Sequence, residues 1–419
     1  MDSKGGATIP LTLKGKVAIA SYGDSYVLDQ EHYKTPLELA VDASRQAMEK
    51  VGLHIGDIDG LLTARAPMGD TRFQWNNILA QELRMAPRYS CEVTIHGGGP
   101  VSFVRHAAMA LMSGLVKRVL CVATDSFSVP ARNVRAHNIF WEANHWFDYP
   151  YGAYVPALYG LVAQRYIHEY NVKREQAAKL AVEERKWALR HPMAAMKNKG
   201  NITIDDVLNS PLIASPFHLL DCAYFGKPVG ASGAFIVTLT EEARKLTENP
   251  VYVLGTGELS THDNITQRLH PSTSPPTDLW NTITTSGGRE ASREAFRMAR
   301  LRPRDIDIAE ISDQFTYIGM LNLEDSGLCE KGKAGKFLEE GRGDFNGGQV
   351  AINTHGGFLS FGQPGISCDM NPLLIEAIRQ LKGEALGRQV KDARFALIQG
   401  HGGVMACHSI AILGNQRSN

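Results

Sequence analysis

The sequence has no excess of charge of either sign, because 44 lysine and arginine residues balance 44 aspartate and glutamate residues. It also has no block of basic residues of the kind that recruits nucleic acid. No apolar run reaches the roughly 18 residues that a membrane-spanning helix needs. The first residues, MDSKGGATIP, contain no apolar segment after a positive region. We therefore expect no nucleic-acid partner, no membrane span and no signal peptide.

Cysteine is scarce, and its spacing excludes two further classes of protein. The six cysteines show no CxxC pair, so neither a zinc site nor a dithiol redox motif is indicated. A disulfide framework is typical of small secreted chains, whereas this chain has 419 residues, 43% of them hydrophobic. We expect a reduced, cytoplasmic protein of two domains, each of roughly 150–200 residues.

Glycine, in contrast, is abundant and clustered in three places. Residues 92–99 read EVTIHGGG and precede a helical pattern, residues 352–365 read INTHGGFLSFGQPG, and residues 400–403 read GHGG. A glycine turn that opens a helix leaves backbone N–H groups available for an anion or an oxyanion. Each cluster also holds one histidine, His96, His355 or His401, and imidazole is suited to proton transfer near neutral pH. An ordinary hydrogen-bonded loop histidine is the alternative for each of the three.

The second half of the sequence repeats the first. Shifted by 248 positions, ASR at 43–45 recurs at 291–293 and DID at 57–59 recurs at 305–307. Repetition of a whole helix-loop-strand unit predicts two fused copies of one α/β domain, at 1–248 and 249–419. The first copy carries an aromatic-rich, helical insertion at about 126–221. We interpret this insertion as part of the substrate pocket and the subunit contact, or else as an ordinary packed cap.

Three segments carry a resemblance to a known family. They are SDQFT at 312–316, GLCEKGKAG at 327–335 and ALIQGHGG at 396–403. Together with the duplication, they resemble the thiolase superfamily, specifically its sterol-carrier-protein branch, whose members read HDCF, GLCPEGKAG, NPSGG and GHP. The resemblance implies an α/β thiolase fold, with two duplicated mixed-sheet halves in a five-layered α-β-α-β-α arrangement.

The sequence departs from this family at the residues that carry thiolase chemistry. In the sterol-carrier-protein branch, a cysteine at the start of the first glycine-rich helix takes the acyl group and a histidine activates it. The cysteine position falls on Gly97, and the histidines of HDCF and GHP correspond to Ser312 and Gln363. An acyl-enzyme on the family cysteine is therefore excluded. Cys91, on the preceding strand, is a poor substitute because a buried cysteine is usually inert.

A subgroup of the family lacks the same cysteine. These thiolase-like aldolases cleave β-hydroxyacyl-CoA thioesters by a retro-aldol step, and this sequence resembles them at IHGGG 95–99, FDYPYG 147–152 and INTHGG 352–357. The resemblance implies a carbon–carbon lyase. Two loops that carry tyrosine in those aldolases read ISDQF and SFGQPG here, so Tyr317 is the nearest replacement.

A retro-aldol step needs a base for the β-hydroxyl and donors for the developing enolate oxygen. Asp313 and Asn353 are placed to orient a histidine or a water. The candidate catalytic residues are His355, His401, His96, Ser312, Asp313 and Gln363. The candidate substrate-binding residues are Gly97, Gly98, Gly99, Asn353, Gly402, Gly403 and Tyr317.

The resemblance also implies the partners. We expect no metal or redox cofactor, with coenzyme A present only as part of an acyl-CoA substrate. We expect a homodimer that associates with a small OB-fold, zinc-ribbon protein. An acyltransferase or Claisen-type enzyme with a relocated nucleophile, and a non-catalytic acyl-binding subunit of a complex, are the alternative functions.

Overall fold

The computed structural model describes residues 13–29, 31–126, 146, 150, 154–223, 228–262, 265 and 282–416. Within this part of the chain, the α-helices are α1 Pro36–Glu49, α2 Trp75–Leu83, α3 Gly99–Met112, α4 Val155–Tyr170, α5 Arg174–Ala188, α6 Ile204–Leu208, α7 Thr240–Leu246, α8 Gly288–Ala299, α9 Thr316–Asp325, α10 Ala334–Glu339 and α11 Asn371–Lys382. The strands are β1 Val17–Val27, β2 Gly60–Thr63, β3 Tyr89–Glu92, β4 Arg118–Ser126, β5 Leu212–Ala214, β6 Phe217–His218, β7 Gly230–Leu239, β8 Val251–Ser260, β9 Ile308–Ile311, β10 Ala351–Ile352, β11 Phe395–Gly402 and β12 Cys407–Gly414.

Ten of these strands form one mixed sheet in the order β10-β9-β11-β12-β8-β1-β7-β4-β2-β3. The β8–β1 contact divides this sheet into two sets of five strands, one from each half of the chain. When the strands of each set are numbered in chain order, the two sets show the same spatial order outward from that contact. In both halves the second strand runs parallel to the third and fourth, and the fifth runs antiparallel to the first and fourth. The predicted duplication of a mixed-sheet α/β unit is therefore confirmed.

The repeated aspartates perform the same task in each half. The carboxylate of Asp59 accepts the N–H of Arg118 at 2.9 Å, at the start of β4. The carboxylate of Asp307 accepts the N–H of Phe395 at 2.9 Å, at the start of β11. Each aspartate thus fixes the beginning of the strand that runs parallel to its own, which accounts for the recurrence of DID in the sequence.

The repeated alanines explain how each half packs its outer helix. Ala43 on α1 lies so close to Gly23 of β1 that a Cβ at Gly23 would overlap the carbonyl oxygen of Ala43. Ala291 on α8 has the same relation to Gly257 of β8. A glycine on the strand and an alanine on the helix let the two backbones approach closely. α1 begins at Pro36 after the N-cap Thr35, whose hydroxyl accepts the N–H of Glu38.

Helices and half-sheets alternate in five layers. Alternate residues of β4 face opposite sides, so that Val119 and Cys121 contact the middle helices while Leu120 and Val122 contact α1 and α2. The middle layer consists of α3 and α11, which pack against strands of both halves in one apolar cluster. The second half-sheet is covered on its far side by α8 and α9. The predicted five-layered arrangement is confirmed.

The insertion belongs to the first half in sequence, but its helices pack on the second half. Leu158 and Tyr166 of α4 and Leu180 of α5 join the apolar cluster that contains α9. Most of the aromatic part of the predicted cap at 126–221, including most of FDYPYG, lies outside the described residues. The boundary between the halves at 248 and 249 stays a prediction, and it falls between the end of α7 and the start of β8.

Two local elements differ from what their residue types suggest. Tyr22-Gly23-Asp24 contains residues typical of a turn, but β1 continues to Val27 because these residues pair with β7. The polar segment 240–246 is helical, as α7, whose glutamates lie in the first turn and whose basic residues lie in the last turn. In the described part of the chain, no helix is long and apolar enough to cross a membrane.

Candidate active site

The two middle helices begin next to each other, and the candidate site is built around their N-termini. Gly97 lies two residues before the start of α3, and Asp369 lies two residues before the start of α11. A Cβ added at Gly97 would lie 2.5 Å from Oδ1 and 2.7 Å from Oδ2 of Asp369. The space that a side chain at position 97 would need is thus taken by a carboxylate that is 4% exposed.

Gln363, another candidate from the sequence, holds the Asp369 carboxylate in place. The side-chain amide of Gln363 donates from Nε2 to Oδ2 of Asp369 at 3.0 Å. Sequence reasoning included Gln363 and Gly97 but missed Asp369. The sequence signal for Asp369 is its place just before Asn371-Pro372, where a helix starts. An acidic residue at this place is equally typical of a solvent-exposed helix start, so it does not indicate a site.

The glycines at the end of β11 bring the third glycine cluster to the same place. A Cβ at Gly400 would contact Met370 at 3.1 Å, and a Cβ at Gly402 would lie 2.7 Å from Cβ of His96. The loop before α3 and the end of β11 are therefore in backbone contact. His96 is exposed at this junction, with a left-handed φ of 47°.

The first glycine turn offers fewer free donors than predicted. The N–H of Gly98 donates to the carbonyl of Ile95 at 3.2 Å, and the N–H of Gly99 donates to the carbonyl of His96 at 3.1 Å. Both amides are engaged in closing the turn. The positive potential of the α3 N-terminus is nevertheless directed to the same place as the carboxylate of Asp369.

His401 lies on the opposite face of β11 from Gly400 and Gly402, in a closed hydrogen-bond network. The Tyr159 hydroxyl donates to the carbonyl of Gly403 at 2.9 Å and accepts from Nε2 of His401 at 2.7 Å. Nδ1 lies 3.4 Å from the amide nitrogen of Asn322. Burial lowers the pKa of His401 to about 3, so the ring is neutral at neutral pH. Both ring nitrogens have partners, and this geometry favours a structural role.

His355 forms a buried pair with a glutamate. Its Nδ1 lies 2.8 Å from Oε2 of Glu310, and the ring is 1% exposed. The other carboxylate oxygen of Glu310 accepts the N–H and the hydroxyl of Thr354 at 2.9 and 2.6 Å. Among the described residues, Nε2 of His355 has no hydrogen-bond partner. The carboxylate orients this imidazole, as in catalytic pairs, but the ring is enclosed in the protein interior.

Asp313 and Asn353 converge on Glu184 of α5. Nδ2 of Asn353 donates to Oε1 of Glu184 at 2.8 Å, while the carboxyl of Asp313 accepts the N–H of Phe358 at 3.1 Å. The carboxyls of Glu184 and Asp313 meet over Gly357, where an added Cβ would overlap Glu184 and lie 2.5 Å from Oδ2 of Asp313. Burial raises the pKa of both carboxyls, that of Glu184 to well above its usual range. The pair therefore holds a proton at neutral pH.

Ser312 and Tyr317 follow β9 and point into the interior. The Ser312 hydroxyl donates to Oε1 of Gln314 at 2.8 Å. Tyr317 packs against Phe217, with ring centroids 6.1 Å apart, and burial raises the pKa of its hydroxyl. The described residues give this hydroxyl no hydrogen-bond partner. Among the described residues, the structure shows no contact of either side chain with Gly97 or Asp369.

The comparisons with known proteins agree with this architecture. A family model described as thiolase C-terminal domain-like matches residues 272–415. An acetyl-CoA acetyltransferase of Methanothermobacter thermautotrophicus is 29% identical over 88% of this chain and 93% of its own length. A steroid side-chain-cleaving aldolase of Thermomonospora curvata is 29% identical over 97% of this chain and 99% of its own length. A solved structure titled Ltp2-ChsH2(DUF35) aldolase matches 96% of this chain and 98% of its own, at 28% identity and a TM-score of 0.79.

The chain has a thiolase fold and resembles thiolase-superfamily proteins over nearly its whole length. The predicted resemblance, including the likeness to the aldolase homologues, is confirmed. The correspondence of Gly97 with the acyl-accepting cysteine of the sterol-carrier-protein branch, and of Gln363 with the histidine of GHP, stays a prediction.

All six cysteines are free, and burial raises the pKa of Cys121, Cys222, Cys329 and Cys368. Cys407 lies nearest to the first glycine turn, with Sγ 3.2 Å from the carbonyl oxygen of Ile95. A thiol that donates to a carbonyl is in its protonated form, which is the less nucleophilic one.

Among the described residues, no group of three or more histidine, cysteine, aspartate or glutamate side chains is arranged to hold a metal ion. The candidate site consists of the Asp369 carboxylate, the Gln363 amide and His96, at two helix N-termini. Such groups bind, orient and transfer protons.

Proposed function

We propose that this chain is a carbon–carbon lyase that cleaves a β-hydroxyacyl-CoA thioester by a retro-aldol step. The observation that carries the proposal is the carboxylate of Asp369, which fills the space beside Gly97, the predicted position of the thiolase nucleophile. The fold and the two helix N-termini of a thiolase are kept, but the group that forms the acyl-enzyme is absent. The aldolase among the relatives and the aldolase structure support the predicted lyase.

The reaction needs no covalent intermediate. A base takes the β-hydroxyl proton, the O–H electron pair forms a carbonyl, and the bond between the α and β carbons breaks. Its electron pair passes to the α carbon and the thioester oxygen as an enolate, which then takes a proton at the α carbon. The products are an aldehyde or ketone and a shortened acyl-CoA. The positive potential at the two helix N-termini stabilises the enolate oxygen, and electrostatic stabilisation of this kind is typically worth roughly 2–4 kcal/mol of barrier.

Acyl transfer through a relocated nucleophile is the second candidate function. The contact between Cys407 and Ile95 places this thiol next to the first glycine turn, and one relative is named an acetyl-CoA acetyltransferase. Cys407 is 6% exposed and its thiol donates to carbonyl groups, which keeps the thiol protonated, so the lyase is favoured.

The proposed partners follow from the same likeness. The solved aldolase structure has a title that joins two components, Ltp2 and ChsH2(DUF35). We propose that the present chain likewise forms a homodimer that works with a small OB-fold, zinc-ribbon protein, and that coenzyme A enters only as part of the substrate, without a metal or redox cofactor. A cytoplasmic location stays a prediction.

The proposal is tested by assaying the chain, purified with its partner, on a panel of β-hydroxyacyl-CoA thioesters with steroid, aromatic and aliphatic acyl groups. We expect an aldehyde or ketone and a shortened acyl-CoA in equal amounts, detected by liquid chromatography and mass spectrometry. A Cys407→Ala variant should cleave at the wild-type rate, because no thiol takes part.

The same preparations distinguish acyl transfer. After incubation with acetyl-CoA, intact-protein mass spectrometry should show no acetyl adduct on the wild-type chain. An adduct that is lost in the Cys407→Ala variant, together with no cleavage of any thioester on the panel, would replace the lyase by the acyltransferase.

A further inference from the structure

The carboxylate of Asp369 occupies a position that no other described acidic residue shares. It lies at the start of α11 and within contact distance of Gly97 at the start of α3. Gly97 is the position that the resemblance predicts for the atom that reacts with the acyl-CoA in the sterol-carrier-protein branch. A group that touches this position is therefore placed to touch the reacting part of the substrate.

We propose that Asp369 is the general base that removes the β-hydroxyl proton during cleavage. This inference rests on the proposed lyase function and adds the residue that performs its first step. Carbon–carbon cleavage begins when Oδ1 or Oδ2 of Asp369 accepts the hydroxyl proton while the α–β bond breaks. The protonated Asp369, or a water molecule, then returns a proton to the α carbon of the enolate, and the carboxylate is restored.

The negative charge moves during this reaction but does not increase. Before cleavage it resides on Asp369, and after cleavage it resides on the thioester enolate beside it. Both places lie at the N-termini of α3 and α11, where the aligned peptide dipoles favour negative charge. The same positive potential therefore stabilises the ground state and the developing enolate, so little reorganisation is needed when the charge moves.

Gln363 is suited to position this base. Its Nε2 donates to Oδ2 of Asp369 at 3.0 Å. In the sterol-carrier-protein thiolases, the corresponding residue is the histidine of GHP. An amide cannot take up or release a proton near neutral pH, so the exchange of histidine for glutamine at this position is consistent with proton transfer by the neighbouring carboxylate.

The three histidines are less well placed for this step. His401 lies on the other face of β11 with both ring nitrogens engaged by Tyr159 and Asn322. His355 is enclosed beside Glu310. His96 is exposed, and its Cβ lies beside Gly402. Of these four side chains, Asp369 is the one whose carboxylate oxygens are seen to lie against Gly97.

The test compares Asp369→Asn and Asp369→Ala with the wild-type complex on a thioester that the wild type cleaves. Asparagine keeps the shape and an acceptor for Gln363 but is no base, so we expect kcat to fall about 10²–10⁴-fold with KM nearly unchanged. The alanine variant leaves room for a small carboxylate. We expect formate to restore part of its kcat in proportion to the formate concentration, a response that a purely structural role of Asp369 would not give.

Asp125 provides the matched control. Its buried carboxylate accepts the N–H of Ile366 at 3.1 Å, so it holds the same loop as Asp369 from the side of β4. Asp125→Asn should retain more than about a tenth of the wild-type kcat, and Asp125→Ala should not respond to formate.

The outcomes separate this inference from the function on which it rests. If the wild-type complex cleaves no β-hydroxyacyl-CoA, the lyase proposal fails. If the wild type cleaves but Asp369→Asn keeps more than a tenth of its kcat, or if formate leaves Asp369→Ala unchanged, Asp369 is not the base and the lyase stands. Circular dichroism and thermal melting of each variant show whether the fold is intact.

Discussion

Glu184 and Asp313 are two acids that meet in the interior, next to a glycine. Two ionised carboxyls at this separation would repel each other in a medium of low polarity, so the pair keeps a proton. Asn353 donates to Glu184, and the amides of Phe358 and Leu359 donate to Asp313. The ionised form of the pair is therefore assigned mainly to Asp313, and the proton mainly to Glu184.

Glu184→Gln tests this assignment through the pH dependence of stability. The folded pKa of Glu184 is raised above its unfolded value, so the folded state binds more protons between the two values. The wild-type free energy of unfolding must then fall as pH rises through this window. Glutamine keeps the hydrogen bonds without a charge. Between pH 5 and pH 8, the free energy of unfolding of the variant should fall by roughly 1–3 kcal/mol less than that of the wild type, measured by urea unfolding.

Glu38→Gln is a control with the opposite sign. Hydrogen bonds from Thr35 lower the pKa of Glu38 at the start of α1. The contribution of Glu38 to stability is present at neutral pH and is lost as pH falls through the lowered pKa. This variant should therefore change the free energy of unfolding relative to the wild type only in its dependence on acidic pH. If Glu184→Gln leaves the slope between pH 5 and pH 8 unchanged, Glu184 does not hold the proton.

The starts of α3 and α11 depend on each other. A Cβ at position 97 would lie 2.5 Å from Oδ1 of Asp369. The residue at the start of each helix therefore limits which residue can stand at the start of the other. A methyl group at this position must push the carboxylate away or shift a helix end.

A double-mutant cycle measures this dependence. Gly97→Ala alone should lower the free energy of unfolding by about 1–3 kcal/mol, because it overpacks the junction. In the Asp369→Ala background the same change should cost little, which gives a coupling energy of about 1–2 kcal/mol from chemical denaturation.

Gly56→Ala is the matched glycine control for the cycle. Nothing lies within 4 Å of a Cβ added at Gly56, so this change should alter stability by less than about 0.5 kcal/mol. Additive effects of Gly97→Ala and Asp369→Ala would mean that the two side chains do not compete for one space.

The elements themselves followed from the sequence to a large extent. The helical pattern after residues 92–99 and the repeated helix-loop-strand unit are local signals, and the structure places helices and strands there. The role of Asp369 was not predictable in this way, because its neighbour Gly97 lies 272 positions away in the chain (369 − 97).

At the scale of the whole molecule, the two halves share their middle layer. Val104 of α3 and Leu374 of α11 belong to one apolar cluster with strands from both half-sheets. The half-sheets are also joined by the pairing of β1 with β8 at Ala18 and Ile19. Neither half can bury this surface alone, so the duplication in sequence does not produce two independent folding units.

We therefore expect one cooperative unfolding transition. Leu374→Ala should lower the free energy of unfolding by about 3–4 kcal/mol and should reduce the hydrogen-exchange protection of β2 and β9 together. Leu79→Ala, in the outer cluster of the first half, is a matched substitution and should also give a single transition. Two separate transitions in either variant, with protection lost in only one half, would show that the halves unfold independently.

The sequence by itself determined the resemblance to the thiolase superfamily and the duplicated α/β architecture, because these are written in local patterns and in an ungapped internal repeat. Only the tertiary structure decided that His401 lies on the opposite face of β11 from Gly400 and Gly402, that His355 is enclosed beside Glu310, and that Asp369 lies against Gly97. The reason is physical, since the direction of a side chain and its neighbours across the sheet depend on strand register and helix packing between distant segments.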